Sequence, residues 1–125
     1  MTKKILIVDD DKILSKILRD TFQARMAGKY EVVTAFDGEA GLSIALEQKP
    51  DLIMLDLVMP KLGGIEFLKK LRADERGKNI PVLVATQISD LEKMSEGMEL
   101  GVRGYIVKAD YSIEEILSQI EEVLK

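Results

Sequence analysis

Short apolar runs alternate with helix-period patterns along the chain. Lys4 to Val8 is an apolar run of strand length, and three acids follow at once, Asp9, Asp10 and Asp11. Ile13, Leu14, Ile17, Leu18 and Phe22 then recur at helical spacing, on one face of a helix that Gly28 ends. Glu31 to Ala35 predicts a second strand, closed by Asp37-Gly38. Glu39 to Gln48 predicts a helix carrying Leu42, Ala45 and Leu46, ended by Lys49-Pro50. Leu52 to Asp56 is a third strand, and Gly63-Gly64 opens a helix with Ile65, Leu68 and Leu71 facing inward. Ile80 to Thr86 is a fourth strand. Asp90 to Leu100 is a helix with Leu91, Met94 and Met98 on one side, a stripe read as core. Arg103 to Val107 is a fifth strand. Ser112, with Glu115 three residues on, forms a capping box that opens the last helix, whose core stripe includes Ile113, Ile116, Leu117, Ile120, Val123 and Leu124.

Strands without clean alternation suit a parallel sheet covered on both faces. The βα order implies right-handed crossovers and a doubly wound α/β fold, with residues 1–125 forming one domain. In such sheets functional groups gather at the carboxyl ends of the strands. At 46% hydrophobic and 32% charged residues, the chain is expected to fold. It has no Cys and no His, which excludes disulfides, thiolate or Ser-His nucleophiles, zinc sites and a phosphohistidine of its own. The net charge of -4 and scattered basic residues argue against direct nucleic-acid binding. The run after Lys3-Lys4 is too short for a signal peptide, and no stretch is long enough to span a bilayer, so a cytoplasmic location is expected.

The strand ends carry the chemistry. Strand one ends in Asp9, Asp10 and Asp11, strand three in Asp56, strand four in Thr86 and strand five in Lys108; strand two ends in Ala35-Phe36, with nothing polar to offer. Clustered carboxylates repel one another or demand a cation. Oxygen donors without His or Cys suit a hard ion such as Mg²⁺. An Asp flanked by Mg²⁺ and a Lys is suited to accept a phosphoryl group, because both cations neutralise the phosphoryl oxygens. The Thr86 hydroxyl could donate to one of those oxygens. Asp11 alone reads as a helix cap.

The stretches "ILIVDDD" (Ile5 to Asp11), "DLIMLDLVMPKLGGIEFL" (Asp51 to Leu68), "PVLVAT" (Pro81 to Thr86) and "GYIVK" (Gly104 to Lys108) resemble, in order and spacing, the receiver domain of two-component response regulators. The resemblance covers the whole chain. It implies a flavodoxin-like, five-stranded parallel sheet in the order 2-1-3-4-5 with five helices. It implies Asp56 as phospho-acceptor, with Asp9 and Asp10 as the acidic pair and Asp10 the direct Mg²⁺ ligand. The Val58 backbone carbonyl matches a further metal ligand. Thr86 and Lys108 match the switch hydroxyl and the phosphate-binding lysine, and Tyr105 the aromatic that follows the hydroxyl. The implied partner is a sensor histidine kinase or phosphotransfer protein. The implied output is a changed face made by helix four, strand five and helix five, in a monomer or a phosphorylation-dependent homodimer. The chain would catalyse nothing but its own phosphorylation and dephosphorylation.

Three departures from the family pattern stand out. Ala109 follows Lys108 where a cis-proline is usual, and a cis bond to a non-proline residue costs about 3–4 kcal/mol, so a trans bond is expected. Gln87 follows Thr86 where a small residue is usual. Val58 and Ile88, two residues beyond Asp56 and Thr86, are apolar and cannot orient a water, which predicts a long-lived phosphorylated state. Rival readings are an unphosphorylated interaction module of the same fold, a flavodoxin-like cofactor binder, and a Mg²⁺-dependent phosphohydrolase. Asp9 to Asp11 would repel an anionic cofactor at that loop, and Val58 stands where the hydrolase would need a general acid. No DNA-binding or catalytic output segment is recognisable, which fits either a stand-alone receiver or a part of something longer.

Overall fold

One parallel sheet organises the chain, in the computed structural model that describes residues 2–25, 28–87 and 90–125. Its strands are β1 (Lys3–Val8), β2 (Tyr30–Ala35), β3 (Leu52–Leu55), β4 (Val82–Thr86) and β5 (Gly104–Val107). They lie in the order β2-β1-β3-β4-β5, as expected. Between and after them run α1 (Lys12–Arg25), α2 (Gly38–Gln48), α3 (Gly64–Ala73), α4 (Leu91–Glu99) and α5 (Ile113–Leu124).

Both faces of the sheet are apolar, which is why its strands show no alternation. Ile5, Ile7, Leu52, Met54, Leu83 and Ile106 turn one way, onto Leu18 and Phe22 of α1 and Ile116, Leu117 and Ile120 of α5. Leu6, Val8, Ile53, Leu55, Val82 and Val84 turn the other way, onto Ala45 of α2 and Phe67, Leu68 and Leu71 of α3.

Two helices depart from the expected faces. In α1 the inward stripe is Leu14, Leu18 and Phe22, each a turn apart, while Ile13 and Ile17 sit round the helix and are 75% and 43% exposed. In α4 the methionine stripe is not core: Leu91 and Met98 are 81% and 62% exposed, and only Gly97 is buried. Strand edges shift slightly as well. β4 starts after Pro81, which has no N–H to donate, and Lys108 opens a 3-10 turn over Lys108–Asp110 instead of closing β5.

The sequence marks two of the caps, Asp11 and the Ser112–Glu115 box; those of α2 and α4 emerge with the fold. Asp11 accepts from the Leu14 amide at the head of α1, Asp37 from that of Ala40 at α2, and Asp90 from those of Glu92 and Lys93 at α4. The Ser112–Glu115 capping box is complete, with both bonds formed. Because Glu115 accepts from the Ser112 amide, its carboxyl lies below the ordinary 4.5. A depressed acid stabilises the fold above that value, and the contribution is lost as pH falls through the lower one. Glu115→Gln keeps an acceptor but cannot titrate, so its unfolding midpoint will fall less steeply than the native one below pH ~4.5, read by circular dichroism. Lys49 ends α2 in the left-handed region, φ 47°. Lys49→Gly removes that Cβ strain and will stabilise the chain by about 0.5–1 kcal/mol in denaturant titration.

Candidate phosphoryl-acceptor site

The strand register places the functional groups. Val8 pairs with Leu55, so Asp9 and Asp56, the next residues of each chain segment, emerge side by side. Thr86 pairs with Val107, so Lys108 emerges beside the end of β4. The Asp56 amide still donates to the Val8 carbonyl at 2.9 Å, which ties the acceptor loop to β1. β2 stands at the sheet edge and contributes no polar group here, in keeping with its Ala35-Phe36 end. The loop after Asp56 is pinned by close approaches. A Cβ on Gly38 would meet the Leu62 carbonyl oxygen at 2.0 Å, and one on Gly64 would meet the Leu57 Cα at 2.5 Å.

Carboxylate oxygens of Asp9, Asp10 and Asp56 lie within 4.8 Å of one another. Asp9 and Asp56 are buried and Asp10 is exposed. The Lys108 ammonium bridges the buried pair, donating to Asp9 Oδ2 at 2.5 Å and to Asp56 Oδ2 at 3.1 Å. The other oxygens are also used: Asp9 Oδ1 accepts from the Asp11 amide at 2.9 Å, and Asp56 Oδ1 from the Val58 amide at 3.2 Å. Burial pushes the Asp9 carboxyl above its usual 3.8, with the charge of Asp56 adding to the push and Lys108 opposing it. Burial alone would lower the Lys108 ammonium, but its contacts with Asp9 and Asp56 outweigh that and lift it above 10.5. Clustered acids that one ammonium only partly balances form an oxygen-donor site with room for a hard divalent cation. Its chemistry fits Mg²⁺.

A cavity of about 210 Å³ opens over these groups, lined by Asp10, Asp56, Val58, Thr86, Gln87 and Lys108 together with Asp11. Thr86 is fully buried, while Val58 is 54% exposed and stands at the rim. Gln87 is exposed and edges the opening. Tyr105 is half-buried against the cluster formed with α2 and α3. Burial lifts its phenol above 10, helped by the charges of Asp90 and Asp56. Ile88 lies outside the described residues. No peptide bond among the described residues is cis, Lys108–Ala109 included. The role of Asp90 escaped the sequence reading: it caps α4 and its charge reaches Tyr105. An Asp just ahead of a helical pattern is the signal that points to it.

A sheet of this order with acids at β1 and β3, a hydroxyl at β4 and a lysine after β5 defines a signalling receiver. The chain belongs to the response regulator receiver domain family, whose model matches residues 5–121. It is 38% identical over 122 residues to the "DNA-binding dual master transcriptional regulator RpaA" of Synechocystis sp., covering 98% of this chain and 49% of that protein. It is 38% identical over 125 residues to the alkaline phosphatase synthesis transcriptional regulatory protein PhoP of Bacillus subtilis, covering all of this chain and 50% of that protein. The chain thus spans about half the length of these curated relatives. Among solved structures it resembles the chemotaxis protein CheY4 of Vibrio cholerae, with TM-score 0.86 and 35% identity over 99% of this chain and 100% of that one. No helix among the described residues is long and apolar enough to cross a membrane.

Proposed function

We propose that this receiver takes a phosphoryl group onto Asp56 from the phosphohistidine of a sensor kinase or phosphotransfer protein. The observation that carries this is the meeting of the Asp9, Asp10 and Asp56 carboxylates with the Lys108 ammonium beside Thr86. An Asp56 carboxylate oxygen attacks phosphorus. The P–N bond to the donor imidazole breaks, its electron pair stays on that nitrogen, and an acyl phosphate forms. Asp9, Asp10, Asp56 and the Val58 carbonyl would hold Mg²⁺, which supplies Lewis-acid neutralisation of the phosphoryl oxygens. Lys108 leaves its bridge between Asp9 and Asp56 to pair with the new phosphoryl group. The Thr86 hydroxyl turns toward that group, and Tyr105 follows it inward.

The consequence is a shifted equilibrium at α4, β5 and α5. α4 is suited to move, because Gly97 is its one buried residue and lowers its intrinsic stability. The face it makes with β5 and α5 binds a downstream protein or a second copy, and nucleic acid is not contacted by this chain itself. Intact mass after incubation with Mg²⁺ and acetyl phosphate tests the reading. Gain of one phosphoryl group, abolished by EDTA, is expected; no gain with either acetyl phosphate or a phosphorylated kinase domain leaves the unphosphorylated interaction module as the better account.

A further inference from the structure

The opposite end of the sheet holds a second concavity, of about 400 Å³, among the carboxyl ends of α3 and α4 and the segments leading into β4 and β5. Its lining carries Arg72, Lys78 and Arg103 against one acid, Glu99. That is a concentration of positive charge on a chain whose net charge is -4.

Arg72 has a structural task. Its Nε donates to the Leu100 carbonyl at 2.8 Å, and its Nη1 to those of Gly77 at 3.0 Å and Ile80 at 2.7 Å. These bonds satisfy the carbonyl that caps the carboxyl end of α4 and two carbonyls of the segment between α3 and β4, which would otherwise repel an anion. They also hold the guanidinium at the cavity lining and leave its Nη2 without a hydrogen bond among the described residues. Carbonyl capping needs only this one cation, yet two more line the same space. Arg103 is exposed and has no ion-pair partner among the described residues. Lys78 pairs at 3.0 Å with Glu75, whose side chain is 86% exposed, a contact weak enough to be exchanged. Arg72 and Arg103 line the same cavity, and burial followed by the charge of Arg103 lowers the Arg72 pKa. An anion between them would relieve that repulsion.

We propose that this cavity binds a small phosphomonoester, its phosphate on Arg103, Lys78 and the Nη2 edge of Arg72 and its apolar body against Ile80, Pro81 and Leu100. The volume falls within the range of small-molecule sites, about 300–1,000 Å³. Glu99 and Leu100 at the carboxyl end of α4 are part of the lining, so a bound ligand would bear on the helix proposed above to shift with phosphorylation.

AMP is the probe, titrated into the native chain in EDTA while backbone amide resonances are followed. Saturable shifts at Asn79, Leu100, Gly101 and Arg103 are expected, with those of Asp56 and Lys108 left in place. Inorganic phosphate should move the same amides more weakly, and adenosine should not. Arg103→Gln removes a charge-assisted contact and should weaken AMP by about tenfold. Lys78→Gln should weaken it less, and neither change touches the carbonyl bonds that Arg72 makes. The proposal is overturned by absence of saturable shifts in the millimolar range, by shifts confined to the acceptor cavity, or by an Arg103→Gln chain that binds AMP as well as the native one.

Discussion

An Asp56→Asn chain will gain no phosphoryl group under conditions that load the native chain, as read by intact mass. The amide matches the carboxylate in shape but cannot attack phosphorus as an anion. The folded state should survive the change. Asp56 is buried among acids, and its charge adds to the push on Asp9, so removing it relieves repulsion within the cluster. Lys108 loses one partner but keeps the 2.5 Å contact with Asp9. Stability of the variant should therefore lie within about 1 kcal/mol of the native value, or above it. That separates loss of the acceptor from loss of the fold. Mg²⁺ affinity should drop without vanishing, because Asp9 and Asp10 remain. A variant that folds and still gains one phosphoryl group would move the acceptor to Asp9 or Asp10 and sink the assignment of Asp56.

Much of this site is legible in the sequence because it depends on strand ends, and strand ends are marked by where an apolar run stops. Val8 to Asp9, Leu55 to Asp56 and Val107 to Lys108 are each such a stop, and the parallel register turns those stops into neighbours. The faces of helices are less legible. Ile13 and Ile17 fit a helical stripe as well as Leu14 and Leu18 do, and only the lie of α1 on the sheet decides which is inward. α4 misleads for a related reason. Its apolar residues imply burial, but the helix rests on the domain mainly through Gly97, so Leu91 and Met98 stay outside. The Arg72 clasp carries no sequence signal at all. Its carbonyl partners, on Gly77, Ile80 and Leu100, come together only when the sheet has formed.

Val58→Asn should shorten the life of the phosphorylated chain. Val58 is 54% exposed at the mouth of the acceptor cavity, and its amide donates to Asp56 Oδ1 at 3.2 Å, which fixes its backbone over the acceptor. A side chain at that point borders both the acceptor cavity and solvent. The valine excludes water and offers it no hydrogen bond. An asparagine of similar size can hold a water by its amide, and positioning a water for attack is worth about tenfold or more in rate. The measurement is release of inorganic phosphate from the purified phosphorylated chain in Mg²⁺, native beside variant. Slow native hydrolysis and about tenfold acceleration in Val58→Asn are expected. Gln87→Ala serves as the companion, because Gln87 edges the same cavity and its exposed amide can hold a water at the rim. If native release is already fast and only Gln87→Ala slows it, the water is held by Gln87 and the apolar Val58 does not set the lifetime. If Val58→Asn alone changes the rate, the length of the signal is written at the residue two positions beyond the acceptor.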